Sequence, residues 1–253
     1  MRKAPGFSRG FFYAPLFCQQ DLQPTVPFAT LPLPAKQITY GKIHMKDSTR
    51  FHYKDVKLVS QETCFQGYFR MDRLTVRHPT FEGGLSDDIR REVFVRGNAV
   101  ACLPYDPVSD KVVLIEQFRA GAYANGREDC WLIEPVAGII EPGETPEEVA
   151  IRESLEEANC EILDLVEAGR HLTSPGAMDE EVVLFIGRCD ADKVNGIHGL
   201  DEEGEDIRAF SIDFQSALDA AMHGKISNIL TVTTLYWLAL NRDDLRLQWE
   251  RPK

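Results

Sequence analysis

The mixture of strand-like and helix-like segments along this 253-residue chain predicts an α+β fold or an α/β/α sandwich, preceded by a small antiparallel β module. Three observations carry that expectation. Residues 51–96 hold the short strand-like runs "YKDVKLVSQE", "YFRMDRLTVRH" and "REVFVRG", with turn chemistry in "PTFEGGLSD" between the last two. Beyond residue 97, apolar strand-like runs are mixed with segments whose apolar spacing is helical. Between them, "TPEE" at 145–148 has the pattern of a capping box and opens a short helix.

In chain order, residues 1–50 come first, rich in Pro and aromatics as in "QPTVPFATLPLPAKQ", which favours extended and poorly regular backbone. The segment reads equally as a tail, as an arm over the body, or as the product of a start placed ahead of Met45. In "NAVACLPYDPVSDKVVLIEQFR" two apolar strands flank a Pro/Asp turn, and the chain runs on through "CWLIEPVAG". Further strands are expected at "LVEAGRHL" and "EVVLFIGRC". "GIHGLDEEGEDI" reads as a loop, because Gly196, Gly199 and Gly204 interrupt any regular element. "DFQSALDAAMHG" and "SNILTVTTLYWLALNRDD" read as helices, the second in spite of its β-branched run.

With 28 Lys and Arg against 40 Asp and Glu, the formal charge is -12. That field disfavours non-specific binding to nucleic acid or to an anionic membrane, and a site for phosphates would need a local cation. The cysteines at 18, 64, 102, 130, 160 and 189 form no Cys-x-x-Cys pair, so reduced thiols in a cytoplasmic protein are expected. No stretch approaches the roughly 20 apolar residues of a membrane helix. The six histidines are scattered without metal-site spacing.

In "GIIEPGETPEEVAIRESLEEANCEI", residues 138–162, Thr145 can cap the helix, Pro146 suits its first position, and Asn159 can end it in left-handed backbone. Val149 and Leu155 are expected to face the core. Glu153 and Glu157 share a face, and Glu156 lies beside them. Like charges so placed destabilise a bare helix by about 0.2–0.5 kcal/mol per pair, and Glu156 and Glu157 also sit at the negative end of its dipole. Arg152 alone does not neutralise them. A hard divalent cation such as Mg²⁺ prefers oxygen ligands of this kind, although a Glu-rich surface helix is the plain alternative.

This segment resembles the Nudix hydrolase signature: glycine, five residues, glutamate, seven residues, Arg-Glu, an apolar residue, any residue, Glu-Glu, any residue, glycine, then an apolar residue. Gly138, Glu144, Arg152, Glu153, Glu156, Glu157 and Cys160 fall in register, whereas Ser154 stands at an apolar position and Asn159 at the glycine. The resemblance implies a Nudix α/β/α sandwich over 97–253. It also implies Mg²⁺, with Mn²⁺ able to substitute, held by Glu153, Glu157 and the Ala137 carbonyl with help from Glu156. Gly138, Glu144 and Arg152 would orient the loop and its carboxylates.

Segments well away from the helix are similar to the ADP-ribose pyrophosphatase branch over about 55–250, among them "RREVFVRGNAVACLPYDP", "VVLIEQFRAGAY", "WLIEPVAG", "LTSPGAMDE" and "GIHGLDEEGEDIRAF". This implies hydrolysis of ADP-ribose to AMP and ribose 5-phosphate by a homodimer that exchanges N-terminal modules, residues 51–96 here. Tyr68 and Arg91 would hold the adenine, one of them supplied by the neighbouring chain, and Arg119 would contact a phosphate. Packing by Tyr68 and ion pairing by either arginine remain open readings of those residues taken singly. Glu203 would accept the proton of the attacking water, Glu205 would add a metal ligand, and Glu180 would take a supporting place near the substrate. Another nucleoside diphosphate sugar such as GDP-mannose, or a nucleotide sensor without catalysis, is the alternative.

Overall fold

The computed structural model describes residues 50–200 and 204–250; Met45 with the rest of 1–49, and Glu203, lie outside them. All the elements fall within the unit Phe51–Lys253. β1 (Lys57–Gln66), β2 (Arg70–Arg77) and β3 (Ile89–Val95) form a three-stranded antiparallel sheet in that order. The turn region expected between β2 and β3 is closed by Ser86 N donating to His78 O at 2.8 Å, with Gly83 and Gly84 at φ +103° and +83°. Every residue of β1 is exposed.

The sandwich is built on an eight-stranded mixed sheet. β4 (Ala99–Asp106) and β5 (Lys111–Phe118) pair only at Tyr105–Val112 and Asp106–Lys111 before separating. Into the opening run β6 (Trp131–Glu134), paired with β5, and β7 (Val136–Ile139), paired with β4. β8 (Asp164–Leu172) and β9 (Glu181–Arg188) extend the sheet beyond β4, with β4 and β9 parallel. β10 (Asn195–His198) and β11 (Ile207–Asp213) extend it beyond β5.

Helices cover both faces, and the pleat decides which side chain meets which layer. Val100, Cys102, Val183 and Phe185 pack with Val149 and Ala150 of α2 (Pro146–Ala158). Leu103, Tyr105, Leu114 and Ile186 point the other way, toward α3 (Phe214–Met222) and α4 (Ile229–Glu250). β4 is buried at every residue, which is why its sequence reads as a nearly unbroken apolar run. The α/β/α sandwich with its N-terminal antiparallel module is thus the architecture observed.

Three local expectations need correction. Leu155 is 56% exposed, and Ser154 occupies the buried position instead, its hydroxyl donating to Ala150 O at 2.7 Å. "NGIH" is a strand, because Gly196 at φ +122° pairs with Ala209 of β11 rather than breaking the ladder. A short helix not anticipated, α1 (Ala120–Ala124), follows β5.

Candidate active site

The separation of β4 from β5 opens a cleft of about 890 Å³ whose walls come from β4, β6, β7, α2, the loop before β11 and the start of α4. α2 is fixed at its first turn: Thr145 Oγ1 accepts from Glu148 N at 3.3 Å, and Glu148 accepts from Thr145 N at 2.9 Å. Asn159 ends it at φ +46°, a left-handed conformation open to Asn as it is to Gly. The helix is therefore held in one register against β7, which sets where its carboxylates fall.

Glu157 is 2% exposed and accepts from Ala137 N at 3.0 Å. Burial pushes its carboxyl up to about 8, with Glu153 and Glu205 adding repulsion, against the lowering effect of the Ala137 hydrogen bond and Arg119. Glu153 is pushed up to about 7, again first by burial; Arg152 opposes the rise, and Glu156 and Glu205 add to it. Gly138 gives Glu153 its place, since a Cβ at 138 would overlap Oε1 and Cδ of that carboxylate. Gly138→Ala is expected to lower turnover about 10–100-fold in a protein that melts as a folded domain. Wild-type turnover in that variant, measured beside its thermal melt, would show that the close approach does not matter.

Arg152 gathers three carboxylates. Its Nη1 donates to Glu153 at 2.9 Å and to Glu156 at 3.0 Å, and its Nε to Glu144 at 3.3 Å. Burial disfavours the guanidinium, but Glu153, Glu156 and Glu144 outweigh it and hold the proton more firmly. Glu144 also accepts from Glu141 N at 3.0 Å, tying the turn before α2 to the same network.

Glu205 lines the cleft, with its carboxylate on Leu200 N at 3.2 Å. The turn before it requires glycine, because Gly199 lies at φ +100° and a Cβ there would sit 2.7 Å from Glu205 Cβ. Glu180 also lines the cleft and is buried, accepting from Thr173 Oγ1 at 2.6 Å and pairing with Arg96 at 2.7 Å. Arg119 reaches the cleft from the end of β5 and is paired with Glu134. Tyr68, 88% exposed and edge-on to Phe69, lies at the rim. Arg91 is exposed on β3, donates to Arg90 O at 2.8 Å, and does not line the cleft of its own chain.

The charged and amide residues of the cleft that sequence reasoning missed are Arg96, Glu134, Glu141 and Asn228. Arg96 follows a strand-like run and Glu134 lies within "WLIEPVAG", but only the folded chain brings them to one cleft. For Asn228 the available signal is its place as an N-cap residue type directly before "ILTVTT".

Among the described residues, no three His, Cys, Asp or Glu side chains are already drawn together as a metal cage. The donor set still fits a hard divalent cation. Glu153 and Glu157 resist ionisation, first through burial and then through the repulsion of nearby carboxylates, and a cation beside them would offset both.

The NUDIX domain family matches residues 95–228, just over half of the chain. The ADP-ribose pyrophosphatase of Escherichia coli strain K12 is 42% identical over 199 residues, 79% of this chain and 95% of that protein. The ADP-ribose pyrophosphatase of Haemophilus influenzae is 38% identical over 214 residues, 84% and 99% of the two chains. The GDP-mannose pyrophosphatase of Cronobacter sakazakii is 33% identical over 187 residues, 74% and 96%. A crystal structure of an ADP compounds hydrolase shares the fold, with a TM-score of 0.57 at 18% identity over 77% of this chain and 96% of that one. With a capped carboxylate helix in the register of the signature and relatives this similar over nearly their whole length, the chain belongs to the Nudix family.

Proposed function

We propose that this chain hydrolyses the pyrophosphate of ADP-ribose to AMP and ribose 5-phosphate, using Mg²⁺, for which Mn²⁺ can substitute. Membership of the family carries with it dependence on a divalent cation. The observation that supports the chemistry best is the pair Glu153 and Glu157, pushed up to about 7 and 8 in a cleft that Arg119 also lines. The choice of ADP-ribose follows the higher identity to the two ADP-ribose pyrophosphatases than to the GDP-mannose enzyme.

Glu153, Glu156, Glu157, Glu205 and the Ala137 carbonyl would hold the cation, and Gly138, Glu144 and Arg152 keep them in place. When bound, it neutralises phosphate charge and lowers the pKa of a water in its shell. Glu203 would accept the proton of the attacking water as that water adds to phosphorus and the bridging P–O bond breaks, its electron pair leaving on the departing phosphate oxygen. Arg119 orients the diphosphate and stabilises its developing charge, and Glu180 takes a supporting part in positioning the substrate. Comparison of kcat/KM for ADP-ribose, GDP-mannose, NADH and diadenosine polyphosphates tests the assignment. ADP-ribose should rank first, and a preference of about tenfold for another substrate would overturn it.

Residues 51–96 serve as a dimerisation module exchanged between two chains, ahead of a hydrolase domain at 97–253. Supporting this, β1 is exposed along its whole length, an edge that calls for cover. Arg91 lies off the cleft of its own chain, so exchange would bring it to the partner's cleft, where it and a Tyr68 ring hold the adenine from opposite faces. Sedimentation at micromolar concentration should give about twice 28.6 kDa, and a species of 28.6 kDa alone would remove the shared adenine site. Among the described residues no helix is long and apolar enough to cross a membrane. The cytoplasm is the proposed location, with no nucleic acid or membrane as partner, in keeping with the net charge of -12.

A further inference from the structure

Glu134 ends β6 on the inner wall of the cleft and is 3% exposed, so its charge requires partners. It has them on two sides, besides a longer contact of 3.5 Å from Gln117 Nε2 to Oε2. Oε2 accepts from Arg119, at 2.8 Å from Nε and 2.6 Å from Nη2, and Oε1 accepts from Asn228 Nδ2 at 2.8 Å. Asn228 is at the same time the cap of α4: its Oδ1 accepts from Leu230 N at 2.8 Å and Thr231 N at 3.1 Å. Thr231 Oγ1 donates to Ile133 O at 3.0 Å, fastening the first turn of α4 to β6 beside Glu134. A continuous run of polar contacts thus joins the start of α4 to Arg119.

The two ends of the Arg119–Glu134 pair differ in a telling way. The carboxylate is buried, whereas the arginine side chain is 42% exposed and reaches into the cleft. Both oxygens of Glu134 are already engaged, which leaves it poorly placed to ligate a cation. Two of the three guanidinium nitrogens of Arg119 face Glu134, and among the described residues Nη1 makes no hydrogen bond. A fork fixed in this way meets a phosphate with less ordering cost than a free arginine.

We infer that Glu134 and Asn228 are positioning residues for phosphate recognition: anchored on α4, they aim Arg119 into the cleft and set the affinity for the diphosphate of the substrate. The inference rests on the proposed role of Arg119 as the phosphate contact. It is tested in the full-length protein by steady-state kinetics on ADP-ribose with Arg119→Ala, Glu134→Gln, Asn228→Ser and the double variant Glu134→Gln/Arg119→Ala. Asn228→Ser keeps a capping oxygen and removes the amide that reaches Glu134, so it decides the matter if Glu134→Gln fails to fold.

Arg119→Ala should raise KM about tenfold or more. Glu134→Gln and Asn228→Ser should raise it about three- to tenfold, with kcat within about twofold of wild type and an unchanged divalent-cation response. In the Arg119→Ala background, Glu134→Gln should add nothing, because its effect passes through the missing arginine. Independent, multiplying effects would overturn the inference, as would a Glu134→Gln variant that loses kcat and cation response at constant KM. If Arg119→Ala itself leaves KM unchanged, the phosphate contact fails and the relay with it, an outcome distinct from failure of the relay alone.

Discussion

Glu157→Gln is expected to cut turnover about 100-fold or more and to blunt the response to divalent cation. Glutamine keeps the shape of the side chain and can still accept from Ala137 N, so the helix and its packing survive. What is lost is the charge. The linkage also has a definite sign, since the folded-state carboxyl lies at about 8, above its ordinary 4.5. Its contribution to stability is present at low pH and is lost as pH rises toward 8 in the absence of a cation. Removing the ionisable group should therefore leave the cation-free melting temperature at pH 8 unchanged or higher, which separates lost chemistry from lost folding. Undiminished activity and cation dependence would mean that the register on α2 is wrong.

Glu203→Gln should behave differently, with cation and substrate binding retained and kcat lowered about 10²–10⁴-fold, the usual worth of a positioned proton acceptor. Glu203 lies outside the described residues. Glu205, two residues on, lines the cleft, and Gly199 and Gly204 on either side of the undescribed residues both have positive φ. The contrast between the two variants matters more than either rate. Near-wild-type kcat in Glu203→Gln would end its assignment as proton acceptor and make Glu180, buried in the lining of the cleft, or a hydroxide held wholly by the cation the better explanation.

The parts of this fold that were legible in the sequence are those fixed by local chemistry. Thr145, Pro146, Glu148 and Asn159 mark both ends of α2 because caps are made by neighbours in the chain. β4 and β9 announce themselves as apolar runs because helices cover both faces of the sheet. The outward turn of Leu155 was hidden because the buried stripe of α2 runs through Ala150, Ser154, Glu157 and Ala158, mixing a hydroxyl and a carboxylate into the side that should look apolar. β10 was masked by Gly196, and α1 is too short for any periodicity to emerge.

The site divides along the same line. The carboxylates of α2 are close in sequence and could be recognised together. Arg119, Glu134 and Asn228 meet only because β5, β6 and α4 converge, and Arg96 reaches Glu180 across more than eighty residues of chain.

Phosphorus NMR of ADP-ribose hydrolysis, run with Mg²⁺ and again after chelation by EDTA, goes most directly to whether this cleft is a cation-dependent pyrophosphatase. AMP and ribose 5-phosphate should accumulate in equal amounts as ADP-ribose disappears, and the reaction should stop when the cation is removed. Saturable binding of ADP-ribose with neither product formed at any Mg²⁺ or Mn²⁺ concentration would contradict this and leave a nucleotide sensor on a hydrolase scaffold.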